Sequence, residues 1–255
     1  NVASPSSWPT IVSGDLSYPG LASSGGGGSV QFGGSGASAL MNLTAGSTGF
    51  TPGNGAGTYY YSFALQLTDL GTLSSGSSFF AGFTKVGSHN NGFNTPTSVG
   101  ARLYVQSDGG AGYQLGIALG SGDNNVIGPQ AYDSTSRYVG DTLFLVGSYT
   151  IKAGAGNDET ALWINPDVST FGAELAPAAT VSVVNGNSVT DMQRLASFTI
   201  FQNSVNEPTG LIDDLRIGLS WADVTPPIPE PASAALGVVG WAIVWLGARA
   251  RRQSR

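Results

Sequence analysis

The chain has 255 residues, a formal net charge of −6, 38 glycines, 13 prolines and no cysteine, with 41% hydrophobic and 10% charged residues. This hydrophobic content is enough for a packed core, and the lack of cysteine excludes disulfides and thiolate metal sites. Through Ile228 the chain carries fifteen acidic and six basic residues. That acidic body excludes nucleic-acid binding, which needs a basic surface.

The start of the chain shows no secretion leader. It begins at Asn1 rather than Met, and its first residues lack a basic segment followed by an apolar one. We expect that sequence upstream of Asn1 is missing.

The body, residues 1–225, predicts many short strands. In YYYSFALQL, beginning at Tyr59, aromatic and aliphatic residues occupy every second position, which is the period of a strand with one buried face. DTLFLVGSYTI, beginning at Asp141, is apolar on both faces and predicts a central strand. Further predicted strands are SSFFAGFTKV, VGARLYVQS, AGYQLGIAL, TALWIN, ATVSVV, LASFTIFQ and GLIDDLRIGL.

Turn-forming clusters of Gly, Ser, Asn and Asp separate these strands, and no amphipathic helix is predicted in the body. About a dozen strands in one body favour an all-β fold, an antiparallel two-sheet sandwich of jelly-roll type.

The sequence does not predict an enzyme. A glycosidase needs two carboxyl groups about 5–9.5 Å apart, and no predicted strand carries alternating carboxylates. The sole histidine, His89, lies in the polar stretch KVGSHNNGFNTP without a nucleophile motif beside it, and it is predicted to be a solvated loop residue.

Two acidic clusters are candidate calcium sites, because hard oxygen donors on loops suit that ion. One contains Asn157 and Asp158, on a glycine-rich loop before TALWIN; the other is Asp213, in GLIDDLRIGL. Strict alternation places Asp213 on the apolar side of its strand. The structural alternative is that Asp213 caps backbone amides while Asp214 and Arg216 form a surface pair.

The last residues predict an anchor. A Pro-rich linker, residues 226–231, contains Pro229, Glu230 and Pro231, and residues 232–248 contain an uncharged run suited to a single transmembrane helix. A basic tail, residues 249–255, follows and predicts a cytoplasmic C-terminus. Its arginines are Arg249, Arg251, Arg252 and Arg255.

This order of Pro-Glu-Pro, one apolar helix and an arginine cluster resembles the PEP-CTERM sorting signal of Gram-negative bacteria. The resemblance implies export, recognition at Pro-Glu-Pro by an exosortase, and removal of the helix and basic tail. It further implies delivery to the cell surface or extracellular polymer of organisms that make exopolysaccharide, biofilm or flocs.

The body also carries motifs of a known fold. TGLIDDLRIGLSWADV resembles the closing strand of concanavalin A-like (LamG-type) domains, and VSGDLSYPGL with NDETALWINPDVSTFG resembles exported domains that precede PEP-CTERM tails. The resemblance implies a lectin- or glucanase-type sandwich that binds carbohydrate.

Two functions from different classes follow. The first is non-catalytic binding of carbohydrate or exopolysaccharide, with Tyr113, Tyr132 and Trp163 as candidate aromatic contacts, although Trp163 also suits a core position. The second is a structural matrix or appendage subunit that self-associates through sheet edges.

Overall fold

The computed structural model describes residues 9–33, 38–43, 57–73, 77–85, 98–122, 126–202 and 208–229. Within these ranges the chain forms two antiparallel sheets, one short α-helix, α1 (Trp221–Val224), and one 3₁₀ helix (Val168–Thr170). None of the helices in these ranges is long and apolar enough to cross a membrane. The predicted transmembrane helix and basic tail lie outside the described residues.

The first sheet has seven strands in the order β1-β2-β13-β4-β9-β10-β11. Their bounds are β1 Thr10–Ser13, β2 Gly28–Phe32, β4 Gly57–Asp69, β9 Thr142–Ile151, β10 Glu159–Ile164, β11 Val181–Val184 and β13 Thr209–Gly218.

The second sheet has six strands in the order β3-β12-β5-β6-β7-β8. Their bounds are β3 Ala39–Asn42, β5 Ser77–Thr84, β6 Val99–Ser107, β7 Tyr113–Gly120, β8 Gln130–Tyr132 and β12 Ser197–Ile200. The prediction of an antiparallel two-sheet sandwich is confirmed.

The main core lies between the two sheets and is built by alternation along each strand. On β4, Tyr61, Phe63 and Leu65 are fully buried against residues of the second sheet such as Phe83 and Phe198. The predicted period-two pattern of this strand therefore sets which face of the first sheet meets the second.

The outer face of the first sheet is covered as well. On β9, Leu143 and Leu145 face the main core, whereas Phe144 and Val146 join a second apolar cluster on the other side. That cluster includes Trp221 of α1. The prediction that β9 is a central strand covered on both faces is confirmed.

The closing strand β13 changes face at a bulge. Asp214 has a φ of 53°, and the register with β4 shifts between Asp213 and Arg216. Beyond the bulge Leu215 and Ile217 pack on the main core, whereas Asp213 lies on the outer face. The expected placement of Asp213 on their side is wrong, because one extra residue inverts the alternation.

The bulge holds the N-terminal segment of the body. The carboxylate of Asp213 accepts hydrogen bonds from the amides of Leu16 (2.8 Å) and Asp214 (2.7 Å). Asp214 accepts from the amide of Ser24 (2.6 Å) and lies 3.6 Å from the Arg216 guanidinium. Amide capping by Asp213 is thus present, and Asp214 and Arg216 are paired, but this pair is largely buried rather than at the surface.

Candidate functional site

The outer face of the second sheet carries aromatic side chains. On β6, Leu103 and Val105 point into the main core, so Tyr104 between them points outward. The same alternation directs ring-bearing residues of β5 and β8, and the residue that follows β12, to this side. The outer aromatic face consists of Phe79, Tyr104, Tyr132 and Phe201.

These rings pack into one layer. The rings of Phe79 and Phe201 stack with centroids 4.6 Å apart, and the rings of Phe79 and Tyr104 lie 6.0 Å apart. The Tyr132 ring packs directly over Gly116, where a Cβ atom on residue 116 would lie 2.4 Å from the Cδ1 atom of Tyr132. Tyr132 is the half-buried member of the layer, whereas the other three rings are buried.

A buried arginine lies beside the layer. Arg102 is 2% exposed, and its guanidinium carbon lies 5.6 Å from the centre of the Phe79 ring. It donates hydrogen bonds to the carbonyls of Val99 (3.1 Å) and Val126 (3.2 Å). These bonds fix a permanent positive charge next to the outer aromatic face.

A rim of amide side chains borders the same face. Gln106 donates to the side-chain oxygen of Gln114 (2.9 Å), and Gln114 donates to the carbonyl of Ser134 (3.0 Å). Ser77 and Gln130 are exposed on the flanking strands β5 and β8. The face therefore combines an apolar floor with oriented donors and acceptors.

The tyrosine hydroxyls of this face remain protonated in neutral solution. Burial raises the pKa of Tyr104, although the Arg102 charge opposes that rise. Burial also raises the pKa of Tyr132. Both phenols are thus neutral, and the Tyr132 hydroxyl oxygen is buried.

A second polar cluster lies at one end of the sandwich, where Asp191 holds the loop before β10. Its carboxylate accepts hydrogen bonds from the backbone amides of Gly156 (2.5 Å), Asn157 (3.3 Å) and Asp158 (3.4 Å). The side-chain amide of Asn185 donates to it as well. We call this arrangement the Asp191 clamp.

Asp158 forms the buried half of the same cluster. It is fully buried and accepts hydrogen bonds from the hydroxyl of Tyr149 and the amide of Lys152, each at 2.8 Å. Burial raises the pKa of Asp158, and the nearby Asp191 charge acts in the same direction. The Tyr149 hydroxyl also accepts from the amide of Met192 (3.1 Å), so it is fully engaged.

An open cleft of about 570 Å³ adjoins the clamp. Most of its lining is backbone and small side chains of residues 154–156 and 187–191, with Gln193 at its edge. The side-chain oxygen of Asn157 is buried and has no hydrogen-bond partner, although its amide nitrogen donates to Ala153 (2.7 Å).

The candidate calcium ligands lie in two separate places. Asp158 directly precedes Glu159, which is in the same cross-strand row as Thr58 of β4. Asp213 pairs with Ala64, six residues further along β4. At about 3.3 Å per residue this offset is about 20 Å along the strands, and β4 and β9 lie between them as well. Across the described ranges no three His, Asp or Glu side chains converge on a metal position. Calcium at either place stays a prediction, and the carboxylates there bind amide or hydroxyl hydrogens.

The three predicted aromatic contacts have different positions. Tyr113 is fully buried in the main core, and Trp163 lies in the second apolar cluster with its indole donating to the carbonyl of Pro177 (2.9 Å). Tyr132 alone of the three is on the outer aromatic face. The expected core position of Trp163 is confirmed.

Most of the other predicted site residues lie outside the residues that the structure describes. Pro229 is the last described residue, and it is exposed. Glu230, Pro231 and the tail arginines lie outside the described residues, as does His89.

The residues that accompany Tyr132 are not among those predicted from the sequence. The alternation in VGARLYVQS and AGYQLGIAL already places Arg102, Tyr104, Gln106 and Gln114 opposite the core face. That signal was present, since aromatic, amide and cationic residues share one parity on adjacent strands.

Comparison with known proteins gives similar shapes at low sequence identity. An endo-β-1,4-glucuronan lyase from the fungus Trichoderma reesei superposes with a TM-score of 0.48 at 15% identity, covering 86% of this chain and 89% of that chain. A SAP-like pentraxin from Limulus polyphemus gives 0.37 at 12% identity, covering 74% and 80% of the two chains. A family 7 alginate lyase, A1-II′, gives 0.39 at 12% identity, covering 81% and 84%. No family model and no curated protein matches the chain. At these identities and TM-scores a similar shape does not define a function.

Proposed function

We propose that this chain is a non-catalytic, exported protein with a concanavalin A-like body that binds polysaccharide on its outer aromatic face. The observation that carries this proposal is the combination of Tyr132 with the Gln106–Gln114 rim on one sheet face. Sugar rings present apolar faces edged by hydroxyl groups, so a ring floor with amide donors and acceptors complements them. The buried Arg102 charge adds preference for polymers that carry carboxylates.

The test is binding of the full chain to a panel of neutral and uronate-containing polysaccharides, followed by isothermal titration. Tyr132→Ala removes the most accessible ring of the face, and we expect at least about a tenfold loss of affinity, equivalent to about 1.4 kcal/mol. Tyr138→Ala is the matched control, because Tyr138 is 57% exposed on the turn that enters β9. Equal affinity of the Tyr132 variant and the unaltered chain would contradict the proposed face.

The same titration in calcium and in chelator tests the predicted cofactor. If polysaccharide affinity or the melting temperature depends on calcium, the result supports a metal at Asn157 and Asp158 or at Asp213. Unchanged affinity and melting temperature after chelation count against it.

A second candidate function, self-association as a matrix or appendage subunit, is favoured by the edges of the first sheet. Edge strands β1 and β11 carry no charged residue, and their side chains Ile11 and Val184 are 79% and 56% exposed. Uncharged β-branched edges lack the usual protection against pairing with another sheet. Concentration-dependent assembly without polysaccharide binding, measured by analytical ultracentrifugation, would replace the first function by this one.

We further propose that residues 229–255 act as a PEP-CTERM sorting signal read by an exosortase. The C-terminal helix is then a temporary anchor in the inner membrane, and the cell surface is the destination. The support is the order of motifs in the sequence and the exposure of Pro229 at the edge of the body. Expressed in a Gram-negative host with and without an exosortase, the chain is expected to lose residues 233–255 only in the first host. Mass spectrometry measures this cleavage, and the substitution Glu230→Lys is expected to block it. Cleavage in the host that lacks the exosortase would contradict the assignment.

A further inference from the structure

The chain leaves the folded body from a fixed position. After α1, residues 226–228 lie antiparallel to residues 20–22, with Leu21 bridged to Pro227. The amide of Ala22 donates to the carbonyl of Pro226 (2.9 Å), and the amide of Ile228 donates to the carbonyl of Gly20 (3.0 Å). This terminal tie holds the backbone through Ile228, within the linker predicted at residues 226–231.

The residues that cover the terminal tie are themselves uncharged and partly apolar. At Gly20 a Cβ would lie 3.1 Å from Cβ of Val168, and at Gly172 a Cβ would lie 2.9 Å from Cδ of Pro227. Val168 and Ile228 are 49% and 55% exposed. These close approaches make one continuous patch, which we call the exit surface. It consists of Pro19, Val168, Gly172, Pro227 and Ile228.

The sequence limits how far this surface can be from the anchor. Five residue steps separate Ile228 from Ser233, where the apolar run begins, and they span at most about 18 Å. The headgroup layer of a bilayer accounts for about 5–8 Å of that distance. With the run inserted, the exit surface lies within about 10–13 Å of the headgroups.

We propose that the exit surface rests on the lipid headgroups of the membrane while the anchor is inserted. This proposal rests on the anchor proposed above. Tethering gives the patch a local concentration in the millimolar range, so a small apolar area suffices for contact. Asp167 and Glu174 are exposed in the segment that carries Val168, so the surface fits uncharged headgroups better than anionic ones.

The lack of cysteine in the chain permits a direct measurement. Val168→Cys and Met41→Cys each give a single labelling site; Met41 is 45% exposed on β3 of the other sheet and serves as the matched control. Each full chain is reconstituted in phosphatidylcholine vesicles with an environment-sensitive fluorophore on the cysteine. Quencher groups are carried on the lipid headgroups.

We expect the label at position 168 to lose most of its fluorescence to the lipid quenchers, and the label at position 41 to lose little. An unquenched label at position 168 in chains that stay with the vesicles through an alkaline wash would overturn the exit surface but leave the anchor intact. Release of the chains by that wash would overturn the anchor and this surface together.

Discussion

At the scale of single residues, the Asp191 clamp shows how one carboxylate can satisfy the backbone amides of a glycine-rich loop. Three consecutive backbone amides and the Asn185 side chain point at this one group. A cation beside Asp191 would have to displace these hydrogens. The clamp therefore explains why a loop as glycine-rich as residues 153–157 has a defined path before β10.

We expect Asp191→Asn to destabilise the protein by about 1–3 kcal/mol, because the new amide group turns a donor toward other donors. Urea unfolding followed by circular dichroism measures the change. Gln193→Ala, an exposed position at the edge of the same cleft, is the control and is expected to stay within about 0.5 kcal/mol of the unaltered chain. Equal stability of the two variants would show that the clamp contributes nothing.

At the scale of elements, strongly patterned strands were predictable from the sequence. β4, β6, β7 and β9 match their predicted segments closely, because each carries long runs of β-branched, aromatic and aliphatic residues. Alternation also identified the core face of β4. Local sequence was sufficient where a strand buries a complete face.

Short or irregular elements were not predictable in the same way. β1, β3 and β8 have three or four residues each and lie at sheet edges, so their sequences carry little periodicity. The bulge at Asp214 depends on pairing with β4 and on capping by a distant segment, and neither is visible in GLIDDLRIGL. Counting alternate residues across such a bulge assigns the side chains beyond it to the wrong face.

The candidate site was predictable only in part, for a related reason. Tyr132 is predicted as a single aromatic contact, whereas its partners are strand residues from β5, β6 and β7. Assembling them requires the strand order of the second sheet. The sequence shows which residues of a strand share a face, but it does not show which strands are neighbours in the sheet.

At the scale of the whole molecule, several carboxylates favour the folded state only when they are ionised. Hydrogen bonds from backbone amides lower the pKa of Asp108 and Asp167, and the Ser220 hydroxyl with nearby amides lowers the pKa of Asp223. Stability from these groups is present above about pH 4 and is lost as the pH falls through their lowered values. The raised pKa of buried Asp158 acts oppositely, because its contribution is lost as the pH rises.

We therefore expect the melting temperature to fall on acidification below about pH 4, and Asp223→Asn to reduce that fall. At pH 7 this variant is expected to melt about 2–4 °C lower, because the capping bonds from Leu219 and Ser220 weaken. Glu174→Gln removes the same charge without touching the α1 cap and serves as the control. A pH profile of Asp223→Asn parallel to that of the unaltered chain would contradict this assignment.

The terminal tie also determines how the molecule responds to mechanical force. Tension applied at Pro229 along the direction of residues 226–228 loads the two hydrogen bonds of the tie together, in shear, rather than one after the other. Residues 20–24 transmit part of this load to the bulge of β13 through Ser24 and Asp214, and β13 lies between β2 and β4 inside the first sheet. A pull at the C-terminal end thus reaches β13 by two routes, this one and the covalent chain through α1. A tie on an edge strand would instead let the sheet peel open from its margin.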